Sequence, residues 1–400
     1  MSTKVEKGVF PPAASCLGAE ESSPKSCFEG AIPSWRKVLV SEEEAFQRMI
    51  KNAKKAMVEH QAKHPETRVY VTREQFDRMA AAVSVESSRQ TLPPGMIQYY
   101  LSASIGRRIT MQDVHFCDKT EWGILVGVFD GHGPELATAT DGSSYNPGLD
   151  VAKKASDKFR EWFPEALQAG RGNVFQAFEV TFDKIQKDIL SEKIAGAHRY
   201  SGGSTAVICF IDNTSHMLYT ATIGDSEANI YRRIGGRLTS IPLSCVRDWT
   251  SKKDLARGEA KIQEHPGRYW FEQPEDAKKR FYCIPVGLNV SRAFGDREFY
   301  EHGCVIAKPK ITVNLLQTGD MIVLASDGLK DFVPEEEICQ KLGSKKTPHA
   351  RVSHAFRRGS SEEDIRQLLS KSPARDLVEC AVGVRHSDDN VTVMVLGFCC

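Results

Sequence analysis

Short, almost uninterrupted apolar runs recur along the chain after residue 100. They cover residues 124–129, 205–211, 218–223, 228–231, 321–325 and 391–398. Strands that are covered on both faces read as continuous apolar runs, whereas half-exposed strands alternate. The pattern therefore predicts strands that are buried on both faces or that line the core of a sandwich.

Helical periodicity lies between these runs. The residues Phe175, Phe178, Phe182, Ile185 and Ile189 fall on one face of a helix, and a second helix is predicted from about 150 to 163. Two sheets packed against each other, with helices outside them, fit this order of elements.

The segment before the first run has a different texture. Residues 1–38 mix Pro, Ser, Gly and charged residues, which predicts a poorly ordered N-terminal segment. Capping-box pairs at Ser41 and at Thr72 predict a helical extension over 39–95. A Pro-Pro-Gly break at its end places the main domain at 96–400. Within that domain two segments are predicted to be insertions: residues 243–283, which are polar and charged, and residues 343–363, which are basic and Ser-rich.

The composition argues against several classes of partner and location. The 400 residues carry 53 Lys and Arg against 52 Asp and Glu, so no strong field favours nucleic acid or anionic lipid. No apolar stretch reaches the length of a membrane span, and the first thirty residues lack the pattern of a secretory signal. Ser2 stands where N-myristoylation would need Gly.

The cysteines suggest a reducing environment. There are eleven of them, without a C-x-x-C spacing, which predicts free thiols. The expected location is the cytoplasm, with the nucleus as the alternative. Cys399-Cys400 could suggest lipidation, but the pair directly follows a strand-like run without a flexible tail.

Four aspartates each stand at the edge of an apolar run: Asp130, Asp225, Asp327 and Asp389. A carboxylate at a buried strand end is costly unless something neutralises it. Taken singly, each is typical of a turn. Taken as a set, they indicate an oxygen-rich cage for hard divalent cations, and the absence of Cys ligands favours Mg²⁺ or Mn²⁺ over zinc.

Such a cage suggests phosphate chemistry. Two ions about 3.5–4 Å apart can share a water and lower its pKa toward neutrality, which produces a nucleophile for phosphorus. The reaction also needs an arginine for the phosphoryl oxygens and an acid for the leaving alkoxide. Arg107-Arg108 and His132 are the candidates, with Asp113 as a brace for water. The alternatives are an exposed basic corner for the arginines and, for His132, a polar group that is buried with a backbone partner.

These residues belong to a series of motifs in a recognisable order. The series is Gly106–Asp113, Asp130-Gly131-His132-Gly133, Ser201–Ala206, Gly224-Asp225-Ser226, Val290–Asp296, Ala325–Gly328 and Asp389–Val393. It resembles the metal-dependent protein serine/threonine phosphatases of the PPM, or type 2C, family from about residue 100 to the C-terminus. The resemblance implies an α+β fold, a four-layer αββα sandwich of two antiparallel β-sheets flanked by helices.

The resemblance also implies a metal site. Asp130 would bridge two Mn²⁺ or Mg²⁺ ions, with Asp327 and Asp389 completing one site and the Gly131 carbonyl serving the other. A weaker third site would use Asp225 and Asp327, together with Asp331.

The remaining roles follow from the same resemblance. Arg108 would bind the substrate phosphate, His132 would be the general acid, and Asp113 would hold a water in the outer shell. Gln112 would hydrogen-bond a metal-bound water, and Asn390 would support the cleft. The implied function is hydrolysis of phosphoserine and phosphothreonine in proteins by a two-metal-activated water, without a covalent intermediate. The expected partners are phosphorylated protein substrates, and the N-terminal helices would either pack on the catalytic domain of 96–400 or dock a further protein.

Several positions depart from the family pattern. Gln112 replaces a common Glu, Glu227 a frequent Arg, and Lys330 a usual Trp, while Gly203 is an extra glycine. The stretch near Asp248-Trp249 lacks the usual Asp-His-x-Pro. These departures leave the predicted metal ligands intact but affect the flap beside the cleft.

Other interpretations stay open. A pseudophosphatase would keep the fold as an interaction module, but it would not need clustered acids. A calcium-binding structural protein would need an Asp-x-Asp-x-Asp-Gly loop, and the Gly-Asn-His-Glu block of the other two-metal phosphatases is absent. Within the first insertion, Trp270 either lies on a flap that shapes substrate access or anchors the insertion to the core.

Overall fold

A computed structural model describes residues 97–138, 142–191, 202–213, 217–272, 280–283, 286–343 and 372–398. The strands are β1 (Ile97–Ser104), β2 (Asp113–Lys119), β3 (Gly123–His132), β4 (Ala137–Thr138), β5 (Ser144–Tyr145), β6 (Gly203–Ser204), β7 (Ala206–Asp212), β8 (Met217–Ile223), β9 (Glu227–Ile234), β10 (Arg237–Pro242), β11 (Tyr269–Glu272), β12 (Arg280–Cys283), β13 (Val286–Leu288), β14 (Phe294–Gly295), β15 (Lys310–Leu315), β16 (Met321–Ala325) and β17 (Val391–Phe398).

The helices of the described ranges alternate with these strands. They are α1 (Pro147–Ala169), α2 (Val174–Ser191), α3 (Lys252–Glu264), α4 (Arg297–Glu301), α5 (Asp327–Lys330), α6 (Glu335–Gly343) and α7 (Pro373–Glu379), the last running into a π-helical turn at Cys380–Val384. Local sequence explains the start of α1, since the Asn146 side chain accepts a hydrogen bond from the Leu149 amide and Pro147 occupies the first turn.

Two antiparallel sheets form the centre. One has the order β1-β17-β16-β9-β10, and the other has the order β14-β6-β3-β7-β8-β15 with β2 paired to β3. The apolar runs predicted as strands occupy the central strands of both. On β7, for example, residues 206–211 are all fully or nearly fully buried, as expected for a strand that is covered on both faces.

Three apolar clusters separate four layers. Neighbouring positions on one strand enter different clusters: on β7, Val207 faces the other sheet, whereas Ile208 faces the helices. Inner-face residues such as Val126 and Leu396 meet between the two sheets. Ile208 and its neighbours pack against the phenylalanines of α1 and α2, and the opposite face of the five-stranded sheet packs against α5, α6 and α7. The predicted αββα sandwich of two antiparallel sheets is therefore confirmed.

The first predicted insertion folds around its own core. Helix α3 and the three-stranded sheet β11-β12-β13, here called the insertion sheet, enclose Trp249, Tyr269 and Phe281. The insertion sheet extends past the predicted boundary at 283 to Leu288. The fully buried Asp254 of α3 contacts Arg257 and lies 3.1 Å from Arg292, which ties the helix to the Val290–Asp296 motif.

Several predictions lie outside the described residues. These are the poorly ordered segment 1–38, the helical extension 39–95, most of the insertion 343–363 and the pair Cys399-Cys400. Among the helices that are described, none has the length and apolarity to cross a membrane.

Candidate active site

A cleft of about 370 Å³ opens at one edge of the sandwich, where the ends of β3, β9, β16 and β17 meet. Its lining includes most of the residues that the sequence assigned to metal or phosphate binding, whereas Arg107, Asp113 and Asn390 do not line it. The lining residues are Arg108, Gln112, Asp130, Gly131, His132, Gly133, Thr205, Asp225, Arg280, Asn289, Val290, Asp327, Asp331, Phe332, Asp388 and Asp389.

Strand pairing explains why distant acids meet. Asp130 lies near the end of β3 and pairs in register with Asp113 on β2. Asp327 begins the short helix after β16, and Asp389 stands two residues before β17, which pairs with β16. Asp225 is in the turn between β8 and β9, where Gly224 takes a φ of 80°, a left-handed conformation that favours glycine. Antiparallel neighbours thus deliver their polar ends to one edge.

The carboxylates repel one another. Burial raises the pKa of Asp130 well above its ordinary value, and the charges of Asp113, Asp327, Asp389 and Asp225 raise it further. Burial likewise raises the pKa of Asp389, with a further rise from Asp327 that Arg108 opposes. The cleft therefore holds more negative charge than its own cations neutralise.

The donors fit a hard divalent cation. They are oxygen atoms, which Mg²⁺ and Mn²⁺ prefer. One carboxylate oxygen of Asp113, Oδ1, is buried and makes no hydrogen bond of normal geometry in the described part of the chain. As the side chains stand, however, no three His, Cys, Asp or Glu residues of the described ranges are arranged to hold an ion.

The side chain of Asn390 connects β17 to the segment between β1 and β2 through hydrogen bonds. Its side chain donates hydrogen bonds to the carbonyls of Ile105 (2.9 Å) and Thr110 (3.1 Å). Its Oδ1 accepts from the backbone amide of Gln112 at 2.7 Å, and the Gln112 side chain donates to Asn146 at 2.7 Å. The network joins the loop that carries Arg108 to β17 and to the start of α1.

Asp113 is held by a hydroxyl. Ser326 Oγ donates to Asp113 Oδ2 at 2.8 Å, and the same hydroxyl accepts from the amide of Thr392 at 3.0 Å. Burial raises the pKa of Asp113 to about 7, while the hydroxyls of Thr392 and Ser326 lower it. Asp113 is also the cross-strand partner of Asp130.

Arg108 reaches into the cleft from the loop before β2. Its Nη2 donates to Asp389 Oδ2 at 2.9 Å, and its Nη1 lies 3.8 Å from Glu135. The side chain is 43% exposed, so part of it is accessible to an anion that enters the cleft. The exposed-corner alternative describes its neighbour Arg107, which does not line the cleft.

His132 has a carboxylate partner that the sequence analysis did not assign. Its Nε2 lies 2.8 Å from Oδ2 of Asp296, the last residue of the Val290–Asp296 motif. Burial opposes protonation of His132, but the charge and hydrogen bond of Asp296 outweigh it, so the pKa of His132 is raised. The partner of Nε2 is therefore a side-chain carboxylate and not a backbone group.

The extra glycine makes room for this pair. A Cβ at Gly203 would overlap both His132 Nε2 and Asp296 Oδ2. Gly295, next to Asp296, is held by the fully buried Gln186, which accepts from the Gly295 amide at 2.8 Å and donates to its carbonyl at 3.0 Å. A departure that the sequence left unexplained is therefore a steric requirement of the histidine–aspartate pair.

Two further departures meet each other. Lys330 Nζ lies 4.0 Å from Glu227 and 3.1 Å from Glu335, and its side chain is only 6% exposed. Lys330 ends helix α5, whose first residue is Asp327, and Glu227 follows Asp225 by two positions. The unusual residues Glu227 and Lys330 thus form an ion pair with each other, outside the lining of the cleft.

The aromatic cluster of the insertion divides between two faces. Tyr269 and Phe271 pack into the insertion core with Phe281. Trp270 points to the other face, where it stacks on Tyr282 with ring centroids 5.3 Å apart. Tyr269 and Phe271, and not Trp270, therefore pack into the core of the insertion.

Sequence reasoning missed Asp296 as a partner and Arg280 and Asn289 as lining residues. Asp296 belonged to a motif already noted, but a sequence does not show which histidine it meets. Arg280 carried no signal beyond its charge.

Known proteins resemble this chain in sequence and fold. Residues 97–358 match the family model for Protein phosphatase 2C. "Probable protein phosphatase 2C 1" of Arabidopsis thaliana is 28% identical over 296 residues, which are 68% of this chain and 59% of the relative. "Probable protein phosphatase 2C 64" of Oryza sativa subsp. japonica is 26% identical over 277 residues, which are 66% of this chain and 59% of the relative. The matched region thus spans about 59% of these two relatives.

Two solved structures share the fold. A phosphatase from a pathogenic strain of Toxoplasma gondii aligns with a TM-score of 0.55 and 17% identity, over 78% of this chain and 95% of the other. A C. elegans sex determining protein aligns with a TM-score of 0.55 and 19% identity, over 76% of this chain and 64% of the other. Since the family model covers well over half of the sequence, the chain belongs to the protein phosphatase 2C family.

Proposed function

We propose that this protein hydrolyses phosphoserine and phosphothreonine in proteins, using Mn²⁺ or Mg²⁺ and no covalent intermediate. The observation that carries the proposal is the cleft itself, in which Arg108 and His132 lie beside Asp130, Asp327 and Asp389. An anion-binding group, a proton donor and an excess of carboxylates are the parts that phosphomonoester hydrolysis needs.

The metal ions would be held by Asp130, Asp327, Asp389 and the carbonyl of Gly131. Asp225 and Asp331, which also line the cleft, would serve a third ion. When bound, the ions would lower the pKa of a shared water and neutralise charge that develops on the phosphoryl group.

Arg108 would orient the substrate. A planar guanidinium binds two phosphoryl oxygens at once, and the contact with Asp389 holds the fork in the cleft. Asp113, held by Ser326, would keep Asp130 and a water in place from behind.

His132 would protonate the leaving alkoxide. Serine and threonine alkoxides are poor leaving groups, so proton transfer matters most for them. The Asp296 carboxylate fixes the orientation of the ring and favours its protonated form, which is the form a general acid requires.

The test is hydrolysis of an aryl phosphate and of a phosphoserine peptide with and without Mn²⁺, accompanied by calorimetric titration of Mn²⁺. Asp130→Asn should lose Mn²⁺ affinity and nearly all turnover, because the cleft would lose the charge of one proposed metal ligand. Asp157→Asn, at an exposed position of α1, is the matched control and should retain both. Metal-independent turnover, or an Asp130→Asn protein as active as the wild type, would overturn the proposal.

A further inference from the structure

The insertion sheet has two chemically different faces. Side chains alternate across a strand, so Phe281 and Cys283 of β12 enter the insertion core, whereas Arg280 and Tyr282 point away from it. Cross-strand register adds Trp270 and Glu272 of β11 to the outer face. The same alternation places Gly287 of β13 on that face, opposite Tyr282.

An aromatic platform occupies the outer face. The Trp270 and Tyr282 rings are nearly parallel, with an interplanar angle of 9° and centroids 5.3 Å apart. Gly287 permits this arrangement, because a Cβ there would overlap the Tyr282 ring. Both aromatic side chains are partly exposed, so their faces and edges are accessible to a ligand.

Arg280 lies where this face reaches the cleft. It lines the cleft together with Asn289, and it is exposed. Although Glu272 is its cross-strand neighbour, Arg280 makes no ion pair or hydrogen bond within the described residues. Arg108, in contrast, is held by Asp389.

Within the described ranges the charge of Arg280 thus has no protein partner and can serve a substrate. The cleft floor is acidic and would be neutralised by metal ions, and the reacting phosphate would go to Arg108. A cation on a separate element at the cleft margin suits a second anionic group on the same molecule, and guanidinium pairs best with a carboxylate or a phosphate. The adjoining aromatic platform suits the peptide that would connect the two groups.

We propose that Arg280, with Trp270 and Tyr282, forms a subsite that selects phosphopeptides carrying an acidic residue close to the phosphoserine or phosphothreonine. The inference rests on the proposed function and extends it to a class of substrate. The acidic group can be Asp, Glu or a second phosphorylated residue, since all three present anionic oxygens to the fork.

The experiment compares matched phosphoserine peptides. In one series every flanking position is Ala, and in the others a single Glu or a second phosphoserine occupies one position within three residues on either side. The wild type should show kcat/KM about tenfold higher for the acidic peptide at one position, mainly through KM, and this preference should fall as salt is raised. Arg280→Gln should remove the preference, and Arg280→Lys should retain part of it.

The matched control is Arg237→Gln, an exposed arginine at the start of β10 that does not line the cleft. It should keep the wild-type preference. Circular dichroism and thermal unfolding verify that each variant is folded.

The outcomes separate the two claims. Hydrolysis of the Ala peptides without any acidic preference would refute the subsite and leave the proposed function standing. The subsite would also be refuted if Arg280→Gln keeps the preference, or if it loses equal activity on every peptide and on an aryl phosphate, because Arg280 would then serve the reacting phosphate. A wild type that hydrolyses no phosphopeptide in Mn²⁺ would refute both.

Discussion

Asp296 Oδ2 and His132 Nε2 lie 2.8 Å apart, and this contact joins two motifs separated by 164 positions. Asp296 adopts a left-handed backbone conformation, with φ at 46°, which carries its side chain back toward β3. Asparagine tolerates this conformation better than most residues. An Asp296→Asn variant can therefore remove the charge without forcing the backbone to change.

We expect Asp296→Asn to impair poor leaving groups more than good ones. Without the carboxylate, His132 loses the charge that favours its protonated form, so kcat for a phosphoserine peptide should fall about 10- to 100-fold. An aryl phosphate, which leaves readily, should lose much less. Steady-state kinetics on both substrates provide the measurement, and equal losses would argue against His132 as the acid.

Gly203→Ala should disrupt the same pair by volume alone. The added methyl group would overlap His132 Nε2 and Asp296 Oδ2, so the two side chains must separate. Turnover of a phosphoserine peptide should fall at least about tenfold. The control is Gly383→Ala, where a Cβ meets nothing within 4 Å, and that variant should match the wild type. An unimpaired Gly203→Ala enzyme would contradict the steric explanation.

Mn²⁺ should stabilise the fold through the repelling carboxylates. Because the pKa of Asp130 is raised in the fold, its ionised form destabilises the native state at neutral pH. Asp130→Asn should therefore increase the metal-free unfolding free energy by about 1 kcal/mol. It should also reduce the rise in Tm on adding Mn²⁺. Differential scanning calorimetry with and without Mn²⁺ tests both parts, and an unchanged Mn²⁺ effect in the variant would contradict them.

Lys330 and Glu335 should contribute to the unfolding free energy as a coupled pair. Removing the ammonium in Lys330→Met leaves Glu335 with less compensation, and the expected loss is about 1–3 kcal/mol of unfolding free energy. Burial tends to raise the pKa of Glu335, but Lys330 and nearby hydrogen bonds lower it overall. The double variant Lys330→Met/Glu335→Gln should lose less than the sum of the two single losses. Urea unfolding of all four proteins measures this, and strict additivity would rule out the pairing.

His115 should reduce stability in mild acid. Both of its ring nitrogens are buried without a hydrogen bond in the described ranges, and burial lowers its pKa from 6.5 to about 4. Between pH 6.5 and 4 the unfolded chain binds a proton that the native state does not, so stability falls as pH falls through this window. His115→Leu should reduce the loss between about pH 7.5 and 5 by about 1–2 kcal/mol. Identical pH profiles of unfolding would contradict the prediction.

The central strands were predictable because they are apolar throughout. The runs at 321–325 and 391–398 coincide with β16 and β17. The outer strands β1, β10 and β15 were missed, since Ile97–Ser104 and its counterparts mix polar and apolar residues and take their strand character from pairing. Tertiary pairing decides such segments more than local preference does.

The candidate site divides in the same way. Asp130, Asp327 and Asp389 stand at strand ends, so the sequence itself marks them, and the cleft brings them together. Contacts such as Lys330 with Glu227 depend on which strands become neighbours, which no local pattern reveals. Binding of metal by these residues stays a prediction, as do the roles assigned to the N-terminal extension.

In the insertion sheet, the residues that stabilise the fold and the residues proposed to contact substrate occupy alternate positions of the same strand. Phe281 and Cys283 secure the fold of the insertion, while Arg280 and Tyr282, interleaved with them, lie outside its core. A substitution at the exposed Arg280 should therefore cost the insertion less stability than one at the fully buried Phe281.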